Sequence, residues 1–453
     1  MINILELGGV NDGKTLNTEV FQLAINQAHH SGGDMIYIPA GKYLVSNLYL
    51  KSNVHIHFEV GSELVASENL HHYDVNEQGH NKDRQPYHLF IGDHCENILI
   101  DGKGIINGQG PLFWKDKPDA RGWYKEKQQR VSPLFELTQC RNITFHDFTI
   151  LDSPGWTIHL NVCKQINMRS IRILNHILGP NTDAIDINGC QDVMISDCHI
   201  EAGDDAIVLK TTPDAGVCER ITVTNCLLRS NCVGFKLGAT ESFYDMRQIT
   251  FSNSIIYHAT RPIGIYALEG GSMEDITITN IVADTHGTPS VGLGIPIHLD
   301  LRRRNEDSKL GSINNVQITN FIARTKGKIM LTAEKGAYLN HIFLRDIHLI
   351  YDKGFSDARL YKDWSSAQFS NKSKEARVAR TACVADGVHH LYMDNFMVTW
   401  PEERDLFDMS ALWLKNIHKM HIHAPLLEPY KENLITLEGQ NMHSISDLLA
   451  KIE

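Results

Sequence analysis

The chain has 453 residues, 42% of them hydrophobic and 21% charged, with a formal net charge of −11. That composition is globular rather than disordered. The acidic balance argues against nucleic acid as the partner, and no apolar run reaches the ~18 residues of a membrane-spanning helix. MINILELGGVNDGKT at the N-terminus shows no basic segment followed by an apolar one. The expected location is therefore the cytoplasm, or outside it with a leader already removed.

In chain order, NTEVFQLAINQAHHSGG at 17–33 carries apolar residues at helical spacing and ends in Gly-Gly. It is expected to form a short amphipathic helix capping one end of the fold. MIYIPAGKYLVSNLYLKSNVHIHFEVGSELVAS follows and reads as the first strands. A repeat then dominates. CENILIDGKGI starts at 95, CRNITFHDFTI at 140, CKQINMRSIRI at 163, CQDVMISDCHI at 190, CERITVTNCLL at 218, MRQITFSNSII at 246 and MEDITITNIVA at 273. Successive starts from 140 to 273 lie 23, 27, 28, 28 and 27 residues apart. Further copies start at 313, 339, 388 and 414. Each alternates apolar and polar residues, with Asn or Asp at fixed slots.

A period of this length without helical spacing indicates a solenoid. The expected fold is all-β, a right-handed parallel β-helix of two or three strands per coil, with Asn and Asp at the bends. A leucine-rich repeat lacks its leucine spacing here. We expect one domain over 1–453: cap and first coils at 1–50, core coils at 95–350, an insertion and final coils at 351–453. The intervals 105–140, 283–313 and 349–388 break the period and are expected to be loops rimming one face. Within the last, 352–382 is strongly charged. Of the nine cysteines, Cys95, Cys140, Cys163, Cys190 and Cys218 share one repeat slot, and Cys198 and Cys226 another. They read as buried ladders rather than disulfides.

The chemistry concentrates in NTDAIDINGC (181–190) and GDDAIVLK (203–210). If coils stack, Asp183 sits one rung, ~4.8 Å, from Asp205, and Asp204 is the chain neighbour of Asp205. Like charges this close raise at least one pKa, which suits a carboxylate pair working as acid and base. A Ca2+ site and plain turn chemistry, with Asn181 and Asp186 bonding the bend, are the alternatives. The 24 histidines are scattered. His71-His72, His389-His390 and His421/His423 suggest no metal site, and no cofactor is expected. Trp114, Trp123 and Trp156 offer flat faces to sugars but are individually better read as packing residues.

These phrases together resemble the polygalacturonase-like glycoside hydrolases of family 28, from about residue 5 to 350. LGGVNDGKTLNTEVFQLAINQA resembles the family's opening. IDGKGIINGQG (100–110) resembles "GxGxIDGxG", with Asn107 where Asp is usual. LDSPGWTIHL (151–160) matches "SPxWxxH", NTDAIDI matches "NTDGxD" and GDDAIVLK matches "GDDxIxxK". The resemblance implies an inverting hydrolase with Asp204 as general acid and Asp183 and Asp205 activating the water. Lys210 and His159 would be substrate contacts.

Two rungs depart from the family. Its Gly-His-Gly is replaced by SNCVGFKLGATES (230–242), with Cys232 or Val233 in the His place. Its Arg-x-Lys grip on the uronate carboxylate falls in RPIGIYALEGG (261–271), where Gly264 and Tyr266 stand. Lys236, Arg261 and the run Arg302-Arg303-Arg304, Arg303 in particular, are candidate replacements, though a basic triplet in a loop is usually solvated surface. Tyr266 and Glu269 are candidates for sugar hydroxyls. The expected partner is a pectin-type or related uronic-acid-containing saccharide other than plain polygalacturonan, with exo action on short chains as one form. A lyase or epimerase using Lys236 as base, and a non-catalytic glycan-binding solenoid, are the alternatives.

Overall fold

The computed structural model describes residues 1–76, 83–120, 122–287, 294–351, 374–401, 410–423 and the backbone of 435–438. It is the right-handed parallel β-helix expected from the repeat. Two compact units make it up, residues 1–210 with 214–231, and 211–213 with 232–453. The charged stretch within 352–373 lies outside the described residues.

In the first unit each full coil supplies three strands. A first sheet stacks Val54–Phe58, Glu96–Gly102, Arg141–His146, Lys164–Arg169, Gln191–Ser196 and Cys218–Thr224 in parallel. A second stacks Ile105–Asn107, Thr149–Leu151, Arg172–Leu174, His199–Ala202 and Leu227–Ser230. A third stacks Phe90–Asp93, Phe135–Thr138, Ile158–Asn161, Ile185–Asn188 and Ile207–Thr211. Period-2 alternation sends alternate residues inward. Ile143, Phe145, Ile166, Met168, Val193, Ile195, Ile221 and Val223 are all buried in register, each contributing about 1.5–3 kcal/mol. The cysteine ladder forms as expected: the Cys140 amide donates to Cys163 Sγ and the Cys163 amide to Cys190 Sγ, both at 3.3 Å.

The Asn/Asp slots are bends in the left-handed region, where a short polar side chain bonds its neighbours. Asn97, Asn142 and Asp192 have φ of 58°, 54° and 60°. Asn97 Nδ2 donates to Asn53 Oδ1 (2.7 Å) and Asn142 Nδ2 to Asn97 Oδ1 (2.8 Å), so the bends are tied rung to rung. The helix Thr18–His30 buries Phe21, Ala24, Ile25 and Ala28 against the first strands, and Phe21 meets the Tyr43 ring edge-on at 5.7 Å. Gly32 and Gly33, at φ of 87° and 133°, let the chain turn out of the helix.

In the second unit the strands of a coil merge: Met246–Ala259, Ser272–Thr285, Ser312–Thr325 and Asn340–Tyr351 join the first two strands of a coil, while Thr381–Thr399 and Ser410–His423 begin in the third sheet and run on into the first. Their third-sheet partners include Val233–Ser242, Arg261–Ala267, Ile297–Leu301 and Ile329–Ala333. The intervals expected to be loops are thus partly strand. Ile297–Leu301 lies inside 283–313, and Thr381–Thr399 opens inside 349–388. Both belong to coils whose first strands the repeat had already marked.

Candidate active site

Two loops of the first unit carry the aspartates into the third sheet. Ile185 pairs with Ile207, and the Ala184 amide donates to the Asp205 carbonyl at 3.0 Å. Asp183 and Asp205 therefore occupy equivalent positions on neighbouring rungs. Thr182 Oγ1 bonds both the Gly179 carbonyl (3.2 Å) and the Gly203 amide (2.9 Å). A side chain at Gly203 would strike the Gly179 carbonyl oxygen, 2.4 Å from its Cβ, so only glycine lets the loops meet this closely. Ser230 Oγ donates to the Asp204 carbonyl at 2.6 Å, and Trp123 Nε1 to the Gly203 carbonyl at 2.8 Å. Buried Arg130 braces the other loop through the Pro154 and Pro180 carbonyls (3.0 and 2.5 Å) and Asn181 Oδ1 (3.3 Å).

Asp183 and Asp205 are 4% and 2% exposed. Burial, and then the neighbouring Asp204, Asp186 and Asp205, push the Asp183 carboxyl well above the usual carboxylate range, with Lys210 opposing. Lys210 Nζ lies 2.7 Å from Asp186 Oδ1, 3.8 Å from Asp183 Oδ2 and 3.7 Å from the Trp156 ring centre. Lys210 thus balances the acidic cluster from inside. Asp186, for which a turn role was one alternative, is mid-strand and fully buried. Burial raises its carboxyl too, against the pull of Lys210 and His159.

His159 does not stand open at the surface. It is 3% exposed, with Nδ1 3.0 Å from both Glu136 carboxylate oxygens. Arg84 closes a bidentate pair on Glu136 at 2.7 and 2.9 Å. Contacts with His159 and Arg84 hold buried Glu136 far below the usual range despite the desolvation. Glu136, His159 and Asp186 are one register column on three successive rungs. Sequence reasoning passed over Glu136 and Arg84. The repeat spacings of 23 and 27 map 136 onto 159 and 186, so Glu136 was there to be found; Arg84, in a loop outside the repeat, left no such signal.

The candidates of the second unit are not gathered into one cluster. Lys236, Gly264 and His298 share a column, as do Gly238, Tyr266 and Asp300. Tyr266 is corrected as a sugar contact: it has no exposed surface. Its ring folds back over Gly264, where a Cβ would lie 2.6 Å from it, and meets His298 edge-on at 5.1 Å. Arg261 is 2% exposed and donates through Nη2 to Cys232 Sγ at 3.2 Å. Each arginine of the triplet faces its own carboxylate. Arg302 Nε bonds Asp300 at 2.8 Å, Arg303 pairs with Glu334, and Arg304 lies 3.3 Å from Glu269. Arg303 and Glu269 are thereby engaged within the protein, and Lys236 is half-buried. Burial, then Arg261 and Arg302, lower His298 to about 3.

The third sheet of this three-strand coil thus carries an aspartate cluster in which Asp183 and Asp205 are buried. The family model for Glycosyl hydrolases family 28 matches residues 30–358, and the chain belongs to that family. A probable polygalacturonase of Vitis vinifera is 31% identical over 221 residues, 46% of this chain and 44% of that protein. One of Arabidopsis thaliana is 26% identical over 306 residues, 60% of this chain and 62% of its own. The match thus spans about half the length of these curated relatives. An exopolygalacturonase structure from Thermotoga maritima superposes with a TM-score of 0.63 at 21% identity, covering 78% of this chain and 87% of that one. A family 28 exopolygalacturonase from Yersinia enterocolitica gives 0.68 at 16%, over 92% and 78%. These likenesses concern the fold.

Proposed function

We propose that the protein hydrolyses a glycosidic bond of a pectin-type, uronic-acid-containing saccharide with inversion. The observation that carries this reading is the Asp183–Asp204–Asp205 group on two neighbouring rungs, in which burial and the neighbouring carboxylates push the Asp183 carboxyl well above the usual carboxylate range. In the reaction Asp204 gives its proton to the leaving oxygen as the C1–O bond breaks. Water attacks C1 from the opposite face and releases a proton to Asp205 or Asp183. The cluster ends with the proton it began with, and the sugar gains one water. Lys210 keeps the net charge of the cluster low enough for one member to stay ionised. Asp204→Asn removes the acid and is expected to lower turnover by about 10²–10⁴-fold.

We further propose action at chain ends on something other than plain polygalacturonan. Trp123 Nε1 donates to the Gly203 carbonyl, next in the chain to Asp204, so an inserted segment stands beside the proposed acid. The two structural neighbours described as exopolygalacturonases share the fold. At the rung where the family's Arg-x-Lys grip falls, Tyr266 fills the space above Gly264. The test is incubation with a panel of pectic oligosaccharides, with product sizes followed over time by mass spectrometry. Stepwise loss of terminal sugars, each with a gain of water, is expected; early mid-chain fragments would overturn the exo reading.

A further inference from the structure

We propose that His55, His57, Asp101 and His146 bind a divalent transition-metal ion of the zinc class on the outer face of the first sheet. That is a different sheet from the one bearing the aspartates. The register places the donors. His57 pairs with Asp101, and Asp101 with His146, on three successive rungs. Val54, Ile56 and Phe58 point inward and are buried, so His55 and His57 both face out on the same side.

Three of the four donors converge, and His146 approaches Asp101 from the next rung. One ligand atom each from His55, His57 and Asp101 lie within 4.8 Å of one another. His57 Nδ1 is 2.5 Å and His55 Nε2 2.9 Å from Asp101 Oδ1, and His146 Nε2 is 3.5 Å from Oδ2. His55 Nε2 is buried and faces the Asp101 carboxylate. His146 is oriented from behind: Nδ1 lies 3.0 Å from Asp147 Oδ2, and Asp147 is held by Lys103 at 2.7 Å. With Nδ1 donating to that carboxylate, the lone pair of Nε2 faces the cluster, the carboxylate–imidazole arrangement that steadies metal-bound histidines. Tyr37 stacks on the His57 ring at 6.1 Å with an interplanar angle of 11°.

A solenoid's polar face commonly carries a histidine bonded to a carboxylate with no metal involved. Three imidazoles directed at one aspartate go beyond that pattern, because one carboxylate cannot serve three rings as well as a cation at their centre would. Three nitrogens and one oxygen suit zinc and its neighbours. Calcium and magnesium take oxygen donors. The ion would clamp three rungs near the capped end. The sequence reading found no metal site because His55 and His57 are 44 residues or more from Asp101 and outside any familiar spacing.

The test uses the full chain without a histidine tag, loaded with zinc and dialysed against metal-free buffer. About one zinc per chain is expected by mass spectrometry. Binding should weaken by about tenfold or more in His57→Ala and Asp101→Asn and stay unchanged in His389→Ala, which removes a histidine of another cluster. A wild-type chain that retains no zinc, or variants that retain as much as wild type, would overturn the site. Should the variants fail to fold, cobalt substitution of the wild-type chain decides. A tetrahedral spectrum supports the site, and a six-coordinate aqua-like spectrum overturns it.

Discussion

At the scale of residues, the molecule holds two buried charge systems that respond oppositely to pH. Asp183 has its folded pKa raised above the ~3.9 of an unfolded aspartate. Its favourable contribution is full below that value and is lost as pH rises through the folded pKa. Asp183→Asn should therefore raise the melting temperature at pH 8 more than at pH 4, while abolishing turnover. Melting curves across that range check it; an equal shift at both pH values would contradict it. Glu136 has the opposite sign. Its lowered pKa gives stability that is present above ~4.3 and lost on acidification. Glu136→Gln strands Arg84 and His159 and should cost about 3–5 kcal/mol at neutral pH, measured by denaturant titration. Much of this site was legible. Asp183 over Asp205 follows from matching DAIDI at 183–187 with DAIVL at 205–209 on stacked coils. What sequence did not give was burial: Tyr266 and Arg261 read as surface grips because alternation says which face a residue takes, not what later packs over it.

At the scale of elements, the repeat phrase is a code for bends as much as for strands. Asn280 has φ of 56° and links Asn253 and Asn320 by side-chain bonds of 2.9 and 3.0 Å. Asn280→Val puts a β-branched residue in that conformation and breaks both links. A loss of about 1–3 kcal/mol is expected, whereas Thr277→Val, at a half-buried position of the same strand, should be nearly neutral. Denaturation midpoints compare the two. The first strands of every coil were legible because their Asn slots and apolar alternation recur together. The third-sheet strands were harder. IHLDL at 297–301 lies between insertions of unequal length, so no constant spacing announces it.

At the scale of the whole molecule, nine free cysteines serve a solenoid that uses them as small interior residues. Eight are buried and only Cys232 is partly exposed. Burial raises thiols such as Cys218, to about 12, and Cys383, also to about 12. Native protein should thus expose about one thiol to a neutral-pH thiol reagent, and the denatured chain all nine. Rapid native labelling of several would contradict the ladder. The fold class was readable because a solenoid repeats its instructions; the division into two compact units was not, since the repeat runs through it unchanged.

The most direct test of the central claim is the anomeric configuration of the first product, followed by NMR on a uronic oligosaccharide that the protein cleaves. Hydrolysis through the three aspartates predicts a product inverted relative to the bond broken, absent with Asp204→Asn. A product of retained configuration, or an unsaturated uronate formed without uptake of water, would contradict it.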